Sequence, residues 1–176
     1  MASNYTTADL YAYEDRQIDY LVVNTGEAPP VGAPEVSLDL FTGTAVAGVR
    51  KLAQRWLLEF LTPLGSMSKM RFRGTRFMID ALAGKYRSGL SVTHSFAEAN
   101  MLIQKNLQEE EDDTMPDDER FGSAVLEDFY TIPSSDVTKK SGTTAIYLYL
   151  KVNVTSLAGT SAPALIPIPI LSKALS

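Results

Sequence analysis

Thr144-Ala-Ile-Tyr-Leu-Tyr-Leu-Lys-Val-Asn-Val-Thr155 decides the fold of this chain. Ile146, Leu148, Leu150, Val152 and Val154 fall on one face of an extended segment, and Tyr147, Tyr149, Lys151, Asn153 and Thr155 on the other. A period of two kept up over the whole stretch marks a strand with one buried face. Ser156-Leu-Ala-Gly159-Thr-Ser161 follows as a turn, and Ala164-Leu-Ile-Pro-Ile-Pro-Ile-Leu171 as a second extended segment. Prolines 167 and 169 have no N–H to give to a ladder, which predicts an edge strand. The two segments read as a sheet rim shaped to meet a partner. Its contact residues are Tyr147, Tyr149 and Lys151 on the long strand and Ile166, Ile168 and Ile170 on the edge.

Working outward, Val125–Ile132 is a further strand, returned by a loop over Pro133–Gly142, and the three strands make an antiparallel meander. Upstream the period changes to that of helices. Val46, Val49, Leu52, Ala53, Trp56, Leu57 and Phe60 share one stripe of a helix that Thr44 would cap and that runs to about Leu61. Leu58 sits alone on its polar side. Gly74-Thr75 restarts the chain into a short helix, Phe77–Leu82, closed by Gly84. A second long helix begins between Ser91 and Ser95, with Ser95 and Glu98 as a capping box, and its stripe is Val92, Phe96, Ala99, Leu102, Ile103 and Leu107. The expectation is an α+β fold: a small antiparallel C-terminal sheet with two or three amphipathic helices on one face. Residues 1–35 read as an extended N-terminal arm and linker, with a short strand at Gln17–Asn24, and 36–176 as one domain. Val36–Leu40 is a further extended candidate.

At 176 residues the chain is long enough to bury a sizeable core, and 45% apolar residues is ordinary for a globular protein. It has no cysteine, which excludes disulfides, thiolate metal sites and cysteine nucleophiles, and it has one histidine, His94. No apolar run approaches the ~18 residues of a membrane span, and the N-terminus has no secretion signal, so neither a membrane nor export is expected. The net charge of −5 argues against nucleic acid as a partner.

The charge is unevenly spread. Nine bases against two acids lie between Arg50 and Arg87, and eight acids with no base between Glu109 and Glu119. Two solvated faces are one reading. The sharper one is that the patches dock onto each other or onto neighbouring subunits, with Arg71, Arg73, Arg76, Glu109, Glu110 and Glu111 as the contact residues.

The search for chemistry finds no phosphate-binding glycine motif and no calcium-loop spacing. The acids at 109–119 are contiguous and read as wet, the wrong setting for raising one carboxyl as a glycosidase needs. Glu59 and Asp80 sit among bases and read as ion pairs. His94 lacks a partner at catalytic spacing and reads as a core or capping residue. No catalytic residue, cofactor or metal is expected.

Four segments in order resemble the sheath-initiator family of phage contractile-tail baseplates, small wedge proteins historically labelled lysozyme-like. They are Val49-Arg-Lys-Leu-Ala-Gln-Arg-Trp-Leu-Leu58 with Leu61-Thr-Pro-Leu-Gly-Ser66; Arg73-Gly-Thr-Arg-Phe77; Asp117-Asp-Glu-Arg120; and the long strand ending in Ser156-Leu-Ala-Gly159. The resemblance spans roughly residues 37–171 and rests on order and spacing. The chain departs from it at Ser66–Phe72, which lacks the family's Glu-Pro-Arg triplet; Arg71, Arg73 and Arg76 are the substitutes.

The resemblance implies a structural, non-enzymatic virion component, in several copies of a symmetric baseplate, made in the host cytoplasm. Its partners would be tail-sheath subunits, other wedge proteins and tail-tube proteins. Foreign strands would add to its sheet edge by main-chain bonds. Cutting at Gly159 is then expected to abolish sheath recruitment and leave the helical part folded. A baseplate or tail-tube connector is the competing structural reading, and a peptidoglycan hydrolase the enzymatic one.

Overall fold

A computed structural model describes residues 19–20, 45–133 and 145–171. The order is β1 (Asp19–Tyr20), β2 (Ala45–Val46), α1 (Val49–Leu61), α2 (Phe77–Leu82), α3 (Gly89–Glu110), β3 (Phe121–Pro133), β4 (Ala145–Ser156) and β5 (Ser161–Leu171). Among the described residues the fold is α+β: three helices, and a three-stranded antiparallel sheet in the order β3-β4-β5. β1 and β2 pair separately, Asp19 opposite Val46 and Tyr20 opposite Ala45, which ties one point of the N-terminal segment to the entrance of α1. The rest of the expected arm, including the remainder of Gln17–Asn24 and Val36–Leu40, lies outside the described residues, as does the loop between β3 and β4.

The alternation at 146–154 does what it predicts. Leu148, Leu150, Val152 and Val154 face the helices and are buried. α1 lies across β4 and β5, α2 on β5, and α3 on β3 and α1. Between them is an aromatic cluster: Trp56 stacks on Phe60 with centroids 5.0 Å apart, and Phe60 meets Phe77 at 4.8 Å and Phe96 at 5.8 Å. Such pairs add to the area they bury. Trp56 Nε1 donates to Asn100 Oδ1 (3.0 Å), and Asn100 Nδ2 donates to the Ala124 carbonyl (3.1 Å), so one amide joins α1, α3 and β3. Tyr86 closes the cluster's far side; its hydroxyl donates to the Phe77 carbonyl (2.9 Å), and burial pushes its phenol well above its ordinary value.

Four expectations need correction. The N-cap of α1 is Gly48, not Thr44: the Gly48 N–H donates to Glu119 Oε1 (3.1 Å), so a carboxylate from 71 residues away faces the positive end of the helix. α3 starts at Gly89, because Ser88 and Ser91 cap each other reciprocally (3.3 Å both ways), which leaves Ser95 and Glu98 inside the helix. Ile166, Ile168 and Ile170 are core residues, 1%, 0% and 3% exposed, because β5 turns its even-numbered side chains onto α1 and α2; no partner can reach them. A cut at Gly159 with loss of β5 therefore strips the core beneath α1 and α2, and does not leave a folded helical part.

Candidate functional site

Where the sequence sets bases against acids, the fold brings them together. α1 ends at Leu61, and the chain loops out and returns: the Thr75 N–H donates to the Thr62 carbonyl and the Leu64 N–H to the Thr75 carbonyl, both at 2.8 Å. Thr75 is fully buried, its hydroxyl on the Phe60 carbonyl (2.8 Å). The Gly74 N–H reaches Glu59 Oε2 at 2.9 Å. The guanidinium of Arg73, delivered by the same turn, meets Glu59 with one nitrogen and Glu110 of α3 with another. Arg55 also reaches Glu110, at 3.1 Å, and burial lowers its guanidinium below the ordinary arginine value.

The acidic segment is not uniformly wet, contrary to its reading from sequence. Glu119 is buried and pairs with Lys51 at 2.8 Å. Glu111 is nearly buried as a side chain, accepts from the Phe121 N–H and faces Arg120. Asp112 is exposed; the Thr114 hydroxyl, with the Thr114 and Met115 N–H groups, holds its carboxyl below the usual range. Arg73, Glu110 and Glu111 are thus engaged within the chain, whereas Arg71, Arg76 and Glu109 remain exposed. Arg73 and Glu59 are both nearly buried while Glu110 stays open to water, so the Arg73–Glu59 half of the bridge is the costly one to break, since removing one partner of a buried pair costs ~3–5 kcal/mol.

The loop tip between the clasped ends carries the opposite character. Met67, Met70 and Phe72 are 46%, 48% and 57% exposed, with exposed Lys69 and Arg71 among them. Large apolar side chains held out in water beside charges mark contact surfaces.

The sheet has two unlike edges. Ser156 N–H donates to the Thr160 carbonyl (2.9 Å), and with the β4–β5 register this fixes which main-chain groups of β5 face β4: the even-numbered ones. The odd-numbered ones face outward, and at 163, 167 and 169 they are prolines. Between residues 163 and 169 the free edge of β5 keeps one N–H, that of Leu165, so it presents a row of acceptors with a single donor among them.

Along β3 the groups that face away from β4 belong to Ala124, Leu126, Phe129 and Thr131. Asn100 takes the Ala124 carbonyl, and Asp128 Oδ1 takes the Phe129 N–H at 2.8 Å. A bulge at Glu127 bends the strand there. The segment beyond it is largely exposed, with Glu127, Asp128, Tyr130 and Thr131 at the surface.

On the sheet face away from the helices, Tyr149 stacks on Tyr130 (5.3 Å, 9° between planes) and stands opposite Pro167. It is 5% exposed, and burial raises its phenol above the ordinary value. Tyr147 opposite Pro169 is half-buried, and Lys151 is exposed. Of the residues expected on the polar side of β4, only Lys151 stands fully open to a partner.

His94 is neither core nor cap. It is exposed on α3, 3.3 Å from Glu98 one turn on. Among the described residues no three of His, Asp and Glu gather as a metal site, and no helix is long and apolar enough to cross a membrane. The residues that sequence reasoning missed are Asn100 and Glu119. Asn100 carries a readable signal, because it follows Phe96 by four on the apolar stripe, where an amide needs a partner. No family model, curated protein or solved structure matches this chain.

Proposed function

We propose that this chain is a structural component of a contractile-tail baseplate that starts the sheath, with strand addition at the free edge of β3. The observation that carries this reading is the asymmetry of the two edges. An assembly seed must take a foreign strand on one side and refuse it on the other, or it chains with itself. Prolines 163, 167 and 169 make β5 the refusing edge. β3 keeps both donor and acceptor at Leu126 and Thr131. The exposed carboxylates of Glu127 and Asp128 lie between these two positions and favour a strand carrying lysine or arginine. The edge-strand role that the sequence assigns to Thr144–Thr155 and Ala164–Leu171 therefore passes to β3, because β4 is the central strand, paired on both sides, and β5 is shut by its prolines; the three isoleucines are core residues and not contacts.

Thr131→Pro tests this. The Thr131 N–H points away from β4, so proline there removes a donor from the free edge and leaves the β3–β4 ladder intact. In a reconstitution with tail-sheath subunits encoded beside this chain, the wild-type protein is expected to seed sheath and T131P to fail at unchanged melting temperature. Sheath growth from T131P at the wild-type rate would refute strand addition at β3. A connector would seed nothing even as the wild type.

A further inference from the structure

One end of the molecule carries a basic lobe and an acidic lobe side by side. The basic lobe is the loop tip, where Lys69 and Arg71 are exposed and make no ion pair among the described residues. The acidic lobe runs from Glu109 to Asp117, with Asp113 equally unpaired and Glu109 held only by an exposed contact to Lys105 at 3.8 Å. Arg73 bridges the two through Glu59 and Glu110, so they are fixed against each other. Between them is a recess lined by Arg55, Leu58, Met67, Arg73 and Glu110, and Leu58 is 40% exposed. Met70 and Phe72 extend the apolar surface onto the loop.

A surface with adjacent lobes of opposite sign and an apolar middle is complementary to itself. A half-turn places each basic lobe on the other copy's acidic lobe, and both contacts form at once. A purely basic surface would call for an anionic partner; here the anionic surface is supplied by the chain itself. We propose that this end binds a second copy of the chain in a two-fold dimer, with Lys69 and Arg71 of each copy over Glu109 and Asp113 of the other and the apolar loop tips between. This is independent of strand addition at β3, and its failure leaves that reading untouched.

Sedimentation of the full chain tests it. At about 0.01 M salt, where charges act over ~30 Å, twice the 19.2 kDa of one chain is expected; at about 1 M, where the range is ~3 Å, the dimer should weaken at least tenfold. Lys69→Glu with Arg71→Glu, and separately Glu109→Lys with Asp113→Lys, should each be monomeric at low salt, because the side chains that meet across the two-fold axis are then of one sign. Mixed in equal amounts, the two variants should recover the dimer, since both contacts are again opposite in sign, and recovery shows that both are folded. A wild-type monomer at low salt, a dimer indifferent to salt and to both variants, a mixture that stays monomeric, or a species larger than two chains would each overturn the two-fold contact.

Discussion

Replacing Gly74 by alanine should destabilise the protein more than the same change at Gly65, although the two backbones are nearly alike. Gly74 has φ +86° and Gly65 φ +80°, both in the left-handed region that costs an L side chain on the order of 1–2 kcal/mol. Their surroundings differ. A Cβ on Gly65 meets nothing within 4 Å, whereas one on Gly74 would lie 2.3 Å from the Thr62 carbonyl oxygen and 2.9 Å from its carbon. That oxygen accepts from the Thr75 N–H, and Gly74 itself donates to Glu59, so the backbone that must give way is the backbone that closes the loop. Weakening these two bonds at about 1 kcal/mol each adds to the strain and gives ~3–4 kcal/mol for Gly74→Ala against ~1–2 for Gly65→Ala. Urea unfolding measures both, and amide exchange should quicken at Leu64 and Thr75 in G74A alone. Equal losses in the two variants, within about 0.5 kcal/mol, would mean that the close approach of residues 62 and 74 does not hold the loop.

The neighbours Ile168 and Pro169 should separate core from surface on β5. Ile168→Ala empties a fully buried site and should cost ~2–5 kcal/mol in urea unfolding, while Pro169→Ala, exposed on the outer face, should stay within about 1 kcal/mol; the reverse order would mean that the strand is turned over. Tyr86→Phe should be about 1 kcal/mol less stable than wild type near neutral pH, through loss of the bond to the Phe77 carbonyl. Because the folded phenol is raised, its contribution is full below the unfolded value near 10 and is lost as pH rises towards the folded one. The wild type then loses up to ~1.4 kcal/mol per pH unit above about 10 that Tyr86→Phe does not lose, so the gap between them should close. A gap unchanged to about pH 11 would mean that Tyr86 is not desolvated.

How much of this was readable depended on whether the deciding contact was local. The stripe Leu52, Ala53, Trp56, Leu57 and Phe60 and the alternation from Leu148 to Val154 are local, and both are buried as written. α2 begins and ends at the expected residues because its signals, Gly74-Thr75 and Gly84, lie beside it. The start of α1 was not readable, because its acceptor is Glu119, which only the folded chain brings to Gly48. The charge runs were legible as complementary, and one of the two destinations offered for them, each other, accounts for Arg73 with Glu110 and for Lys51 with Glu119, whereas Glu111 is taken by Arg120, outside the basic run. Which acids would be buried was beyond any window: Glu119 and Asp117 differ by two residues, yet one lies beneath α1 and the other in water. Ile166, Ile168 and Ile170 carry two signals at once: the prolines between them mark an edge strand, and their own period of two marks a buried face, which is the one that places their side chains.

The same prolines settle the register of β5. In the observed pairing Pro163, Pro167 and Pro169 stand opposite Asn153, Tyr149 and Tyr147, at positions where neither strand needs a bond from the other. A slip of one residue would turn Ile166, Ile168 and Ile170 to the outer face and bring the prolines to the ladder. Three bonds to β4 would then lack donors, and three isoleucines, at ~1.5–3 kcal/mol of burial each, would leave the core. A slip of two would restore the faces, and the tight turn opposes it: the Ser156 N–H on the Thr160 carbonyl and the Gly159 N–H on the Ser156 carbonyl fix the pairing at its closed end. One alternation therefore meets three demands, since even residues fill the core and bond to β4 and odd prolines shut the edge, while the turn at Gly159 excludes the nearest register that would keep all three.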